Sequence, residues 1–240
     1  TAMPKVAGCY YLTDDVTLGG SSAWTPVNGT IICMNGHKVT SPSAIGSTVY
    51  IESNVHVVLT DCKASGSISN TRSNGAAGLS SRNSFNYTNS ENCTIDLFGV
   101  TVSGTGRSVA NYTGSTVNLY NSTVSGTKYA IYNTGTVNTA GTVKTTSDTV
   151  ESGYYCVYNF GTLTVDGTLT ANGGDVGIYN AANKDGSQHG TMTVNGIVTS
   201  TGSSNGLSNG GVLAVTGTLT AIGKNLHGLY NNEHGTLTVN

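Results

Sequence analysis

Hydrophobic and polar residues alternate in short runs through the C-terminal half of the chain. In the run TLTVDGTLT at residues 162–170, Leu163, Val165 and Leu169 alternate with threonines. This period of two is typical of β-strands with one buried face. Gly167 interrupts the run, and a glycine at such a place indicates a bend between two short strands. The pattern therefore predicts many short strands and no long helix.

A triplet of a hydrophobic residue, an aromatic residue and asparagine closes most of these units, as in Ile178-Tyr179-Asn180. Weaker triplets, such as Leu207-Ser208-Asn209, keep the asparagine. Successive asparagines are 21 to 29 residues apart, a period that indicates a solenoid. The asparagines of this column are Asn111, Asn133, Asn159, Asn180, Asn209 and Asn231.

A second column supports the same repeat. Each unit opens with a strand whose first apolar residue keeps a similar distance to the asparagine of its unit. Most of the variation in length falls in two segments, residues 144–153 and 181–190, which we predict to be loops. The first apolar residues of these strands are Ile95, Val117, Val137, Leu163, Met192, Leu213 and Leu237.

These columns predict a single all-β domain over residues 1–240, a right-handed parallel β-helix of about ten turns. We expect an N-terminal cap and first turn at 1–30, irregular turns at 31–92 and regular turns at 93–240. Stacking would align the asparagines into a structural ladder. We expect Gly141, Gly167, Gly196 and Gly217 to form left-handed corners. The repeat is cut at the C-terminus, so we expect a fragment of a longer, already processed protein.

Composition and charge exclude several functions. The chain has 10 basic and 12 acidic side chains, which gives no basic surface for nucleic acid or an anionic membrane. No apolar run is long enough to span a membrane, and the first residues lack the apolar core of a signal peptide. We therefore expect a monomer with no nucleic-acid partner and no membrane span.

The five cysteines contain no Cys-x-x-Cys pair, which argues against a zinc or redox site. Cys9, Cys33, Cys62 and Cys93 are spaced by about one turn each, so they could stack along one line. They could be unpaired thiols, or Cys33 and Cys62 could form a disulfide between turns. The sequence leaves both possibilities open.

An enzyme on this scaffold would need carboxylates in one outward column on neighbouring turns, as in β-helical polysaccharide lyases and hydrolases. The columns that hold Asp96 and Asp166 carry no acid on the next turn. Asp14, Asp15, Glu52 and Asp61 lie where the repeat is hard to align. We predict no catalytic residue, no cofactor and no metal ligand, and keep a lyase or hydrolase as the alternative.

The histidines form no recognisable catalytic group. His189 and His234 each precede a Thr-x-Thr strand without an acidic or cysteine partner at ligand spacing, so we interpret them as surface turn residues. His37 and His56 are interpreted as lone residues.

Two outward columns could bind a ligand. A threonine column, with pairs such as Thr162 and Thr164, is similar to an ice-binding array, but Val212 and Ala214 interrupt it. A tyrosine column could present aromatic faces to a sugar or a protein partner, or its rings could only stack on one another. The tyrosines of this column are Tyr132, Tyr158, Tyr179 and Tyr230.

A resemblance adds to this interpretation. The repeat GTLTVDGTLT at residues 161–170 resembles the β-helical regions of bacterial cell-surface adhesins, and YYLTDDVTL, ICMNGHKVT and VVLTDC resemble the first turns of pectate-lyase-like surface proteins. The resemblance implies an extracellular, surface-attached, adhesin-like or scaffold module that binds a glycan or a host protein. It carries over no binding residue.

Overall fold

The repeats fold into a right-handed parallel β-helix, as the two columns predict. The computed structural model describes residues 2–19, 23–41, 46–72, 76–82 and 88–240. These residues form 27 strands and no α-helix. Each full turn contributes one strand to each of three parallel sheets, which enclose the interior.

Most strands are four to six residues long, and three of them form one turn. The first fourteen are β1 (Gly8–Tyr11), β2 (Val16–Thr17), β3 (Thr30–Cys33), β4 (Lys38–Ser41), β5 (Val49–Tyr50), β6 (His56–Thr60), β7 (Ser67–Asn70), β8 (Leu79–Ser80), β9 (Cys93–Phe98), β10 (Thr101–Gly104), β11 (Arg107–Asn111), β12 (Ser115–Tyr120), β13 (Thr123–Gly126) and β14 (Tyr129–Asn133). The others are β15 (Thr136–Ala140), β16 (Thr142–Ser147), β17 (Tyr155–Asn159), β18 (Thr162–Val165), β19 (Thr168–Gly173), β20 (Val176–Asn180), β21 (Thr191–Val194), β22 (Ile197–Gly202), β23 (Asn205–Asn209), β24 (Val212–Val215), β25 (Thr218–Gly223), β26 (Leu229–Asn231) and β27 (Thr236–Val239).

The three sheets run the length of the solenoid. The first sheet has the order β1-β3-β6-β9-β12-β15-β18-β21-β24-β27, and the second β2-β4-β7-β10-β13-β16-β19-β22-β25. The third has the order β5-β8-β11-β14-β17-β20-β23-β26. The described residues of 31–92, where we expected irregular turns, supply strands to all three sheets, while 42–45, 73–75 and 83–87 lie outside the described residues.

Apolar side chains point inward at alternate positions of each strand. Leu163, Val165 and Leu169 are fully buried, and Thr162, the first residue of β18, faces solvent. In the first sheet Leu163 pairs with Val137 on one side and with the next opening residue on the other, as predicted. Burial of each large aliphatic side chain contributes about 1.5–3 kcal/mol, so the interior columns supply most of the folding free energy.

The asparagine column forms a continuous hydrogen-bonded ladder inside the third sheet. Asn133 Nδ2 donates to Asn159 Oδ1 at 2.7 Å, and Asn159 Nδ2 donates to Asn180 Oδ1 at 2.8 Å. The amides from Asn111 to Asn209 also donate to the carbonyl of the residue that opens a first-sheet strand, for example from Asn159 to Thr191 at 3.1 Å. The same pattern links Asn111 to Asn133 and Asn209 to Asn231. The predicted ladder is confirmed.

At the N-terminal end of the ladder, serine hydroxyls form the hydrogen bonds that asparagine amides form elsewhere. Ser115 Oγ donates to Asn111 Oδ1 at 2.6 Å, and Ser81 Oγ lies 2.6 Å from Ser115 Oγ. Ser81 Oγ also accepts a hydrogen bond from the backbone N–H of Tyr112 at 2.8 Å. The first ladder amide is therefore satisfied although the preceding turn has no asparagine in register.

Glycine is required at the corners for two different physical reasons. Gly141 has φ = 62°, the left-handed conformation that we predicted. The prediction is wrong for Gly167, Gly196 and Gly217, which are not left-handed. A Cβ atom at any of these three would collide with the carbonyl oxygen of the glycine one turn earlier. Stacked corners thus require glycine because two backbones approach closely.

The two predicted loops differ in extent. Residues 144–147 belong to β16, so the first loop is limited to the segment between β16 and β17. The prediction failed there because Lys144 and Thr146 point outward in a strand that looks polar in sequence. Residues 181–190 are a loop as predicted, closed by antiparallel pairing of Ala182 with His189.

The chain before β1 lies against the first turn. Trp24 is buried and pairs in parallel with Val49, which places it in line with the third sheet. Its Nε1 donates to the carbonyl of Pro4 at 3.0 Å, and Met3 is also buried. These contacts cover apolar residues of the first turn.

Replacement of one ladder amide tests this account. We expect Asn159→Ala to lower the free energy of unfolding by about 2–4 kcal/mol, since it leaves buried amide groups on two neighbouring turns without a hydrogen-bond partner. The readout is the midpoint of thermal or urea unfolding, followed by circular dichroism.

Asn231→Ala is the matched control, because Asn231 is exposed and has a ladder partner on one side only. We expect it to cost less than about 1 kcal/mol. Equal midpoints for the two variants would contradict a stabilising role of the buried ladder.

Candidate functional site

The outer surface of the third sheet carries a cluster of aromatic rings. The register Tyr132, Tyr158, Tyr179, Ser208 and Tyr230 is confirmed as one outward column. Three residues earlier, β11, β14 and β17 add Arg107, Tyr129 and Tyr155, which are partly exposed. We call the resulting surface the tyrosine face; it comprises Arg107, Tyr129, Tyr132, Tyr155, Tyr158 and Tyr179.

The rings of the tyrosine face pack closely on one another. Tyr132 and Tyr158 are stacked with centroids 4.9 Å apart and planes within 9°. Tyr155 lies beside Tyr158 at 5.9 Å, and Tyr179 is tilted against Tyr155 at 4.7 Å. Tyr129 meets Tyr132 edge-on at 5.8 Å. Such contacts hold each ring in one orientation.

Arginine side chains extend this stack toward the N-terminus. The Arg107 guanidinium lies 4.1 Å from the centroid of the Tyr132 ring and donates to the Tyr112 hydroxyl at 2.7 Å. Arg82 lies 5.1 Å from the Tyr112 ring. Tyr132 is therefore packed between Arg107 and Tyr158, so its ring faces are not open to a sugar as the column suggested. The residue as a whole remains partly exposed.

Tyr230 lies apart from the cluster. Ser208 separates it from Tyr179 in the column, and its nearest aromatic partner is His227 with ring centroids 5.4 Å apart. Tyr230 is 44% exposed. Three of the four predicted tyrosines are therefore together, and the fourth is a natural control.

A groove of about 520 Å³ runs along the corner that follows the ladder. Tyr132 and Tyr158 form one wall. The floor comes from residues just after the ladder asparagines, and the ends from the paired segment at Arg82 and Asn89 and from the loop 181–190. The lining residues are Arg82, Asn89, Tyr112, Thr113, Tyr132, Thr134, Tyr158, Phe160, Ala182 and Asn183.

Several residues of the groove and of the tyrosine face were missed in the sequence. Tyr112 and Phe160 each follow a ladder asparagine, a position whose role is visible only once the corner is built. Tyr129 and Tyr155 stand three residues before a column tyrosine, and this Tyr-x-x-Tyr spacing could have identified them in the sequence. Arg82 has no counterpart in the repeat.

The phenols of the tyrosine face are weak acids. Burial, reinforced by the neighbouring tyrosines, raises the pKa of Tyr155 and Tyr158 to about 12. Burial also raises the pKa of Tyr129, although Arg107 opposes the shift. These hydroxyls stay protonated near neutral pH, where they can donate hydrogen bonds and cannot act as bases.

Two histidines interpreted as lone have aspartate partners. His56 Nε2 lies 2.8 Å from Asp96 Oδ2, and Asn118 Nδ2 donates to Asp96 Oδ1 at 2.6 Å. His37 Nδ1 lies 3.3 Å from Asp15 Oδ1. The sequence missed the first pair because the excursion between β6 and β9 hides that these strands are neighbours.

The acidic columns have the predicted register. Asp96 aligns with Asn118 on the next turn, and Asp166 aligns with Asn195. Asp61 is a structural anchor: its carboxylate accepts hydrogen bonds from the N–H groups of Gly36 and Gly66 at 2.7 and 2.6 Å. Partial burial opposes its ionisation, but these bonds outweigh burial and lower the pKa of Asp61. The described residues contain no cluster of three metal-ligating side chains.

The strand register confirms that Val212 and Ala214 interrupt the threonine column. They pair directly with Thr191 and Thr193 of the preceding turn.

The chain matches no protein-family model, no curated protein and no solved structure. The resemblance to cell-surface adhesins thus rests on the fold and the repeat motifs. Within the part of the chain that the structure describes, no helix has the length and apolar character needed to cross a bilayer.

The raised tyrosine pKa values predict a loss of stability in alkali. A phenol whose pKa is higher in the folded state stabilises the fold below the unfolded value of 10.0, and this contribution is lost as the pH rises toward about 12. We expect the double variant Tyr155→Phe with Tyr158→Phe to keep more of its neutral-pH melting temperature at pH about 11 than the wild-type chain.

Tyr230→Phe is the control, since Tyr230 lies outside the cluster, and it should decline with the wild-type chain. If the double variant loses as much melting temperature in alkali as this control, the buried phenols do not govern the alkaline transition.

Proposed function

We propose that this chain is a non-enzymatic, adhesin-like scaffold module that binds a saccharide in the groove beside the tyrosine face. The observation that carries the proposal is a pre-formed groove of about 520 Å³ whose wall is a stack of immobilised tyrosines. Its volume lies within the range of about 300–1,000 Å³ that small-molecule sites occupy.

The chemistry of the lining suits a sugar. Asn89 and Asn183 offer amide donors and acceptors, and the tyrosine hydroxyls offer neutral donors. Tyr158 and Phe160 add apolar surface for the C–H groups of a sugar ring. Arg82 is the charged residue of the described lining.

Rigidity favours binding at this site. The walls belong to strands whose backbone is paired on both sides, and the rings are locked by stacking. Little freedom of these rings remains to be lost when a ligand is bound, so this part of the entropic cost of binding is small.

The location follows from the same proposal. The fold and the repeat motifs resemble those of extracellular surface proteins, and we propose that the chain acts at a bacterial cell surface, with a glycan or a surface protein as its partner. Fold analogy is the weaker support, and the groove is the stronger.

One observation favours the hydrolase or lyase alternative. The His56–Asp96 pair holds an exposed imidazole in one orientation, and the amide of Asn118 orients the carboxylate in turn. This arrangement can serve a general base. It lies on the first sheet, away from the groove on the third.

Binding to a glycan array tests the proposal. We expect the wild-type chain to bind a defined saccharide, and the double variant Tyr158→Phe with Asn183→Ala to bind it about tenfold more weakly, because each change removes one hydrogen-bonding group and keeps most of the packing. Affinities are measured by calorimetry on the array-selected saccharide.

Tyr230→Phe, in the same column but off the groove, should bind like the wild-type chain. Equal affinities for the double variant and this control would place binding elsewhere, and an array with no bound saccharide would refute glycan binding. Turnover of polysaccharides in parallel assays, lost in His56→Gln, would favour the enzyme instead.

A further inference from the structure

Two cysteines of successive turns meet at the corner between the first and second sheets. Cys33 ends β3, and Cys62 follows β6 by two residues. Their Sγ atoms are 2.8 Å apart, within hydrogen-bonding contact, and both thiols are free. Cys33 pairs in the sheet with Thr60, so the contact arises from the turn after β6 and not from the strand register.

A carboxylate holds this corner in place. Asp61 accepts a hydrogen bond from the N–H of Gly36 in the earlier turn, and from the N–H groups of Ser65 and Gly66 in its own. The backbone N–H of Met34 also donates to the Thr60 carbonyl at 2.7 Å. These bonds fix the segments that carry the two thiols, so their encounter costs little conformational entropy.

The other cysteines are placed differently from the single line that we expected. Cys93 and Cys156 are buried, and burial raises the pKa of their thiols to about 11 and about 12. Cys9 aligns with Ile31 in β3, two residues before Cys33. Spacings of about one turn brought only Cys33 and Cys62 together and did not place the four cysteines in one line, because the segments between the strands differ in length.

The corner pair is accessible to small reagents. Cys62 is exposed, and Cys33 is half-buried. Partial burial disfavours the Cys33 thiolate, but hydrogen bonds from Cys62 outweigh burial and lower the pKa of Cys33. The hydrogen bond to Cys33 raises the pKa of Cys62. The hydrogen bond between the two thiols thus favours one thiolate in the pair, and the thiolate is the form that attacks a disulfide.

We propose that Cys33 and Cys62 are a covalent modification site, which a small-molecule disulfide such as glutathione disulfide oxidises to a disulfide between turns. The Cys33 thiolate attacks one sulfur of the reagent, the reagent's S–S bond breaks, and one small thiolate leaves. Cys62 then loses its proton to solvent and attacks Cys33 Sγ, and the second small thiolate leaves. The two protein thiols lose two electrons and two protons, and the reagent gains them as two thiols.

The bond would join the second and third turns of the solenoid. Its place is the corner between the first and second sheets, and neither cysteine is among the residues that line the groove. The inference is therefore independent of saccharide binding, and either can fail without the other.

Oxidation of the full chain by glutathione disulfide tests the proposal. After an acid quench, we expect the oxidised wild-type chain to be lighter than the reduced chain by two hydrogen atoms. After alkylation, it should carry two fewer alkylated thiols than the reduced chain. Peptide mapping should link the peptides that contain Cys33 and Cys62. A chain that keeps all its thiols, or carries glutathione on both cysteines without a link, overturns the proposal.

Matched variants identify the pair and the order of the steps. Cys9→Ser should form the link as the wild-type chain does, and Cys33→Ser should not form it. Cys62→Ser should accumulate one glutathione on Cys33, because the resolving thiol is gone. Asp61→Ala should slow the link about tenfold by loosening the corner. A link that forms in Cys33→Ser, or that uses Cys9, would also refute the assignment.

Discussion

The buried asparagine ladder is the constraint on which the third sheet depends. A primary amide inside an apolar core costs several kilocalories per mole unless its donors and acceptor are satisfied. Asn159 meets this need only because Asn133 and Asn180 stand at the same register on the turns above and below. All amides donate in the same direction along the axis, so each bond polarises the next. A slip by one residue would bury the preceding tyrosines and expose the amides.

The tyrosine face follows from this constraint. Since each asparagine points inward, the residue before it must point outward, and tyrosine at that place builds a column at the strand spacing. The spacing brings rings such as Tyr132 and Tyr158 into stacking contact. The same stacking that immobilises the rings also covers the faces of Tyr132, which lies between Arg107 and Tyr158. Architecture and candidate site thus arise from one repeated triplet.

The N-terminal turns are held together by contacts that each occur once, whereas the later turns are held together by contacts that recur on every turn. Asp61 joins two corners through backbone N–H groups, and Ser81 and Ser115 end the ladder. None of these residues recurs at a fixed interval, so no column marks them in the sequence. Periodicity reveals what every turn shares, and it cannot reveal a contact that occurs once.

The alternation of apolar residues and the recurrence of asparagine were enough to derive the solenoid and the register from Asn111 to Asn231, because a solenoid repeats local rules. The right hand followed from the general rule for parallel crossovers. The tertiary structure alone decided the pairing of His56 with Asp96, the meeting of Cys33 with Cys62, and the groove between Arg82 and Asn183. Each depends on how turns of unequal length are placed in space. That placement is set by packing and backbone hydrogen bonds over the whole coil, and spacing along the chain does not encode it.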